Sequence, residues 1–432
     1  MDIAQLEQLL VRQNPHWKGE SDFGVSLSTK RSIYEEIENN LKNTLILAIK
    51  GIRRIGKSYL LKQLLSEHLL KQEIPPKNLL YFQFATSFNE KNFIIDLLNL
   101  YLTKYAVRSK PILILFDEVQ YIDYWQDQVK FFYDQEKNIK FVVTGSTSLF
   151  YRQKSKETLA GRIIKISLGS LTFQEYLNFK GLKKETKSDI ENIDRVSFIN
   201  NLHLYQSEFK NYLAFGQFPE LAIKGTNLNP KDYLDNLTDQ LINYDIPYFR
   251  QTIDRVTFLN LVKSLSFSIA NEYSLNKLAK DLESERRILS DYVKVLEEIS
   301  LFSSCLNAYF KSIRQKLSSI KKIYTLNTNI SLNINGFGES YLNDNRVFGQ
   351  YFENYAYMRI KNLFKEVEYY QSKNKELDFV SKDYAFEVKS GPIKNQKKYI
   401  DLAKRLKKKL VFISENELEE QKDFIKVPIY LL

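Results

Sequence analysis

Two short stretches, far apart in the chain, hold the residues best suited to chemistry. The first is GIRRIGKS, running from Gly51 to Ser58. It fits G-x-x-x-x-G-K-[S/T], a loop whose glycines let backbone N–H groups close around phosphate oxygens. The helix that follows adds the partial positive charge of its N-terminus. Gly51, Ile52, Arg53, Arg54, Ile55, Gly56, Lys57 and Ser58 would then cradle a nucleotide, with Lys57 reaching the β- and γ-phosphates and Ser58 ligating Mg²⁺. With 14 glycines in 432 residues, such a pattern should arise by accident in roughly one sequence in a hundred. A second half of the site is expected on a later strand, and ILILFDE supplies it. Asp117 can hold the magnesium shell while Glu118 polarises the attacking water. Thr144, at the end of a further strand, is placed to sense the γ-phosphate, and Arg162 to reach a neighbouring subunit's nucleotide.

The second stretch is KELDFVSKDYAFEVKSGP, residues 375–392. Asp378, followed by Glu387-Val388-Lys389, fits the PD-(D/E)xK pattern of metal-dependent nucleases, with Glu353 on a preceding helix as a further acid. Two carboxylates, Asp378 and Glu387, can hold Mg²⁺ or Mn²⁺, and Lys389 can position or activate water. Strand alternation places Glu387 and Lys389 on one side of a hairpin, with Val388 facing outward. Charges on a strand face are costly unless they meet a metal or solvent.

Both stretches need elements to position them. Between residues 45 and 170 short apolar runs alternate with helical patterns. TLILAIKG (44–51), NLLYFQF (78–84), PILILF (111–116), KFVVT (140–144) and RIIKISL (162–168) read as strands. Near-continuous apolar strands separated by helices predict a parallel sheet covered on both faces. From about 171 the pattern is mostly helical. Within 272–302, two helices flank the turn Leu282-Glu283-Ser284-Glu285, and Arg286, Arg287 and Lys294 would face a DNA backbone or groove. Asn and Ser concentrate in 327–345, which reads as a linker. Between Lys389 and Lys409 there are nine basic residues and one acidic. Lys407, Lys408 and Lys409 close that run, next to the hairpin, where they would track phosphates.

Lys and Arg exceed Asp and Glu by 63 to 52, a formal +11, which favours polyanionic partners such as nucleic acid. Cys305 is the only cysteine, which excludes a disulfide framework or a cysteine zinc site and suits a reducing compartment. No apolar run approaches the ~20 residues that span a bilayer. A soluble, cytoplasmic protein without a membrane partner is expected.

The run QNPHWKG (13–19), GIRRIGKS, FDEVQYIDYWQDQVKFFYD (116–134), VTGSTS (143–148) and LAGRIIKISLGSLTFQEYL (159–177) resembles AAA+-type ATPases of archaea and bacteria. YLAFGQFPE (212–220) and NYDIP (243–247) resemble the same family's middle region. His16 stands where an aromatic is usual, and KKIYTLNTNI (321–330) has Asn where an acid is expected. The resemblance implies ATP binding with hydrolysis, a winged helix-turn-helix, and a C-terminal nuclease-like domain. It thus implies an α/β fold in three parts. A P-loop ATPase domain over 1–175 has a parallel sheet. A helical region over 176–335 includes a winged helix at about 255–310. A restriction-endonuclease-like α/β domain occupies 336–432. The expected function is an ATP-driven switch or motor acting on DNA, with Mg-dependent cleavage at the second stretch, and with ATP, Mg²⁺, DNA and further copies of the chain as partners. The alternative is a signalling or assembly ATPase whose C-terminal domains bind protein and do not cut.

Overall fold

The computed structural model describes all residues except Met1, Ser21, Ser28, Asn89, 147–158, 183–194, 246–253, Phe337 and Asn374. The last residues of VTGSTS and of NYDIP therefore lie outside the described residues. The chain divides into two compact units, Met1–Gly169 and Ser170–Leu432.

In the first unit, five strands form one parallel sheet: β1 (Ile46–Lys50), β2 (Leu79–Gln83), β3 (Ile112–Asp117), β4 (Ile139–Gly145) and β5 (Ile163–Ser167), in the order β2-β3-β4-β1-β5. β1, β3 and most of β4 are apolar and buried, as strands covered on both faces must be. β4 lies between β1 and β3, so the phosphate loop and the Asp117–Glu118 pair emerge one strand apart at the same carboxyl edge. Ligands of open α/β sheets bind outside that edge.

β2 is an edge strand, and its outer backbone groups need partners. The end of helix α1 (Ile3–Gln13) and the turn after it provide them. Asn14 donates to Tyr81 O at 2.9 Å and accepts from Tyr81 N at 2.8 Å. Gln13 accepts from Gln83 N at 2.7 Å, and His16 and Trp17 both donate to Leu79 O. Burial lowers the His16 pKa, which favours the neutral ring. The stretch QNPHW thus acts as a false strand that seals the sheet.

The second unit holds two sheets. β6 (Glu272–Tyr273), β7 (Phe302–Cys305) and β8 (Lys321–Thr325) form an antiparallel sheet in the order β6-β8-β7, with helix Arg255–Phe267 before β6, helices Leu275–Asp281 and Arg286–Glu298 between β6 and β7, and helix Ile313–Ser318 before β8. β9 (Glu368–Ser372), β10 (Lys375–Val380), β11 (Tyr384–Val388), β12 (Lys409–Ser414), β13 (Glu419–Glu420) and β14 (Phe424–Pro428) form a mixed sheet in the order β13-β14-β12-β11-β10-β9. The expected boundary near 335 falls inside this unit. Phe209 packs against Tyr355 and Tyr430 with ring centroids 5.2 Å apart, joining the helical region to the C-terminal end. The expected linker over 327–345 is corrected. Helix Thr328–Ile334 is buried there, and its polar side chains are internal partners. Asn329 donates to Leu213 O, Thr328 Oγ1 does the same, and Asn327 caps the helix through Ile330 N.

Candidate functional site

The phosphate loop joins β1 to helix α2 (Lys57–Lys71). Gly56 has φ +101° and Arg54 φ +62°, left-handed turns that fold the loop back toward the sheet edge. Lys57 is buried, and its ammonium donates to Gly51 O at 3.1 Å and Ile52 O at 3.2 Å. It also pairs with Glu118 Oε1 at 3.4 Å. Two loop carbonyls thus hold this cation within reach of the acidic pair.

Asp117 ends β3 and is fully buried. It hydrogen-bonds with the Ser58 hydroxyl and accepts from Thr144 Oγ1. Burial, then the neighbouring Glu118 charge, push its pKa up, against these bonds and Lys57. Ser58 and Asp117 therefore present two hard oxygen donors side by side, the donor set that suits Mg²⁺ shared with substrate phosphates. Thr144, expected to sense the γ-phosphate, also accepts from Glu118 N at 3.2 Å. It braces the acidic pair from the next strand. Arg53 and Arg54 are half-buried in the loop. Arg162 is 3.0 Å from Asp134 of helix α3 (Trp125–Gln135), an exposed ion pair within the chain.

Two residues at this site escaped the sequence reading. Tyr81, on β2, donates its hydroxyl to Asp117 Oδ2 at 3.0 Å, and nothing in NLLYFQF marks it. Gln120, in FDEVQ, donates to Glu118 Oε2; its place two residues after the acid was the available signal.

The second cluster gathers around β10 and β11. Lys389 Nζ lies 2.6 Å from Glu387 and 3.5 Å from Asp378, so the structure brings these three together. Val388 N donates to Asp378 Oδ2 at 2.7 Å. Val388 itself is buried, a correction to its expected outward place, because both sheet faces are covered here. Glu353 feels the Asp378 charge and has two direct partners of its own: it accepts from the Tyr324 hydroxyl at 2.7 Å and lies 3.5 Å from Lys322 Nζ. Lys322, on β8, is buried and also reaches Glu376 at 3.0 Å. It was missed because KKIYT looks like an ordinary strand start. Burial, then Asp378, raise the pKa of both Glu353 and Glu387, while Lys322 and Lys389 oppose the rise. Glu387 Oε2 is buried without a hydrogen-bond partner, so two carboxylates here could take a cation. Among the described residues no group of three or more His, Cys, Asp or Glu is placed to hold a metal ion.

Of the expected DNA contacts, Arg286, Arg287 and Lys294 are exposed on their helix, and Lys294 pairs with Asp291 at 3.1 Å. Lys407 and Lys409 are exposed. Lys408 instead donates to Ser381 O and Lys382 O, clamping the turn between β10 and β11. No helix among the described residues is long and apolar enough to cross a membrane.

Residues 43–177 match the AAA domain family, and residues 206–341 match a domain of unknown function (DUF8612). An uncharacterized protein of Methanocaldococcus jannaschii, MJ1544, is 27% identical over 81% of this chain and 74% of its own length. A second from that organism, MJ1637, is 27% identical, and the match spans 69% of this chain and 63% of the relative. An uncharacterized Haemophilus influenzae protein is 25% identical over 60% of this chain and 61% of its own. Among solved structures, replication initiator DnaA bound to AMPPCP and single-stranded DNA aligns at 16% identity with TM-score 0.28, over 64% of this chain and 93% of that one. The Saccharomyces cerevisiae Hsp104–ADP complex aligns at 12% identity with TM-score 0.33, over 61% and 50%. The family match and the five-stranded parallel sheet agree on a P-loop fold of the AAA type for the first unit.

Proposed function

We propose that this chain is an ATP-hydrolysing switch or motor that acts on DNA, in the cytoplasm and as a homo-oligomer. The observation that carries the reading is the meeting of Ser58 with Asp117 beneath a lysine that also contacts Glu118. Gly51 to Ser58 bind the triphosphate. Ser58 and Asp117 would hold Mg²⁺, which when bound would neutralise charge on the β- and γ-phosphates. Water bonds to the γ-phosphorus as that atom's bond to the bridging oxygen breaks. ADP leaves with the electron pair, and Glu118 takes the water's proton. Thr144 and Tyr81 hold Asp117 in place. Arg162 serves a neighbouring subunit once it leaves Asp134.

The helix–strand–helix–helix–strand order over 255–305, closed by helix Ile313–Ser318 and the strand Lys321–Thr325, supports reading this part as a winged helix, with Arg286, Arg287 and Lys294 as DNA contacts. The order of helix Asn345–Leu363, β9 to β11, helix Gln396–Arg405 and β12 supports a restriction-endonuclease-like domain. There Asp378 and Glu387 bind Mg²⁺ or Mn²⁺ and Lys389 stabilises the attacked phosphate. A second reading, in which this domain binds but does not cut, is favoured by Glu353 being engaged by Lys322 and Tyr324.

Labelled ATP binding by wild type and Lys57→Ala tests the first claim: the variant loses binding, and equal affinity refutes it. Salt-dependent binding of labelled DNA tests the second. Metal-dependent nicking that Asp378→Ala abolishes decides for cleavage; absence of nicking with and without ATP decides for the binding module.

A further inference from the structure

Glu118 is a surface-edge carboxylate that must point one way at the moment of hydrolysis, yet it stands at φ +55° on a turn outside the sheet. Its two oxygens have different partners. Oε1 faces Lys57 at 3.4 Å, and Oε2 accepts from Gln120 Nε2. Gln120 sits in the single helical turn Val119–Tyr121, pinned by buried Val119 and Ile122 on either side. Its other amide atom, Oε1, accepts from Ser146 N at 3.3 Å. The orientation of the amide is set by these neighbours, because the reverse would turn its oxygen on a carboxylate and its NH₂ on an N–H group. Glu118 is therefore tied twice, once to β4 and once to the residue just past it: its own N–H binds Thr144 Oγ1, and its carboxylate reaches Ser146 through Gln120.

We propose that Gln120 is the positioning residue for the hydrolytic carboxylate, a role that rests on the ATPase reading above. When triphosphate oxygens draw Lys57 to themselves, Oε1 of Glu118 is released to accept from water. Oε2 stays held by Gln120, and the carboxylate keeps its direction when its other restraint is gone. An untethered glutamate on this turn would sample several rotamers, and misplacement of a reacting group is costly in rate. Because Gln120 also holds the backbone just beyond β4, a shift of Ser146 would swing the carboxylate.

The test compares steady-state ATP turnover and ATP affinity in full-length wild type, Gln120→Ala, Gln120→Glu, Glu118→Gln and the double variant Glu118→Gln/Gln120→Ala. Gln120→Ala should lower kcat about tenfold or more, the worth of a hydrogen bond to a charged group, with ATP affinity within about twofold. Gln120→Glu should be slower still, since two carboxylates would face each other. The double variant should match Glu118→Gln, because Gln120 acts only through that carboxylate. Unchanged kcat in Gln120→Ala overturns the proposal, as does a loss confined to ATP affinity or a double variant slower than Glu118→Gln. Wild type that binds but never hydrolyses ATP would instead overturn the ATPase reading, and the positioning role with it.

Discussion

Gly51→Ala should break the nucleotide site through sterics alone. A methyl group at Gly51 would lie 2.6 Å from Leu168 O and 2.9 Å from Ile55 Cγ2. Carbon-to-carbonyl contacts sit at about 3.3–3.6 Å, so the methyl is ~0.7 Å too close to a backbone oxygen. That backbone cannot swing aside, because Leu168 N donates to Lys50 O at 2.8 Å, extending the β1–β5 ladder. Ile55 is fully buried and has little room to turn. Relief requires β1 and β5 to spread or the loop to lift, at a cost of about 1–3 kcal/mol. Urea unfolding should show a lower midpoint with unchanged slope. ATP affinity should fall more than stability does, since the displaced atoms are the loop's own N–H donors. Gly169→Ala is the control: nothing lies within 4 Å of its added methyl, so it should behave as wild type. A Gly51→Ala protein with wild-type unfolding and wild-type ATP affinity would refute the close-packed loop.

Three further outcomes follow from named contacts. Burial of Glu67 works to raise its pKa, but hydrogen bonds from Lys30, Tyr34 and Lys71 outweigh it and hold the value at about 2, below the usual 4.5. That stabilisation is present above the unfolded value and is lost as pH falls through the folded one; Glu67→Gln should thus cost about 1–2 kcal/mol at pH 7, after solvent screening, with the gap closing as unfolding is repeated from pH 4.5 down toward 2. If Arg162 acts between subunits, turnover per subunit should rise with protein concentration and Arg162→Ala should remove the rise; a concentration-independent rate from a sedimenting monomer contradicts this. Lys407→Ala/Lys409→Ala should lower the salt slope of DNA binding by up to about two, whereas Lys408→Ala should lower the melting temperature because its ammonium holds the 381–382 carbonyls; a slope change from Lys408→Ala equal to the others would reverse that assignment.

The first unit was legible because its chemistry and its sheet share one signal. Runs such as ILILFDE are apolar until the strand reaches the ligand edge, so the end of the run marks the site. The phosphate loop could be read for the same reason. The second unit was harder to read. β9, EYYQS, alternates too weakly to announce a strand, since most of its side chains are only partly covered. The stretch read as a linker is polar because Asn327, Thr328 and Asn329 serve buried backbone groups, and composition alone cannot tell such residues from solvated ones. Tyr81 and Lys322 meet their acids from strands more than 30 residues away in sequence. Only the fold supplies those pairings.

The central claim is that Asp117 and Glu118 have separate duties, one holding the metal and the other directing water. The direct measurement is single-site ATP binding beside steady-state phosphate release for wild type and Glu118→Gln. The account predicts that Glu118→Gln binds ATP with about wild-type affinity while phosphate release falls by at least about a hundredfold. Release at the wild-type rate from the Glu118→Gln protein would contradict it.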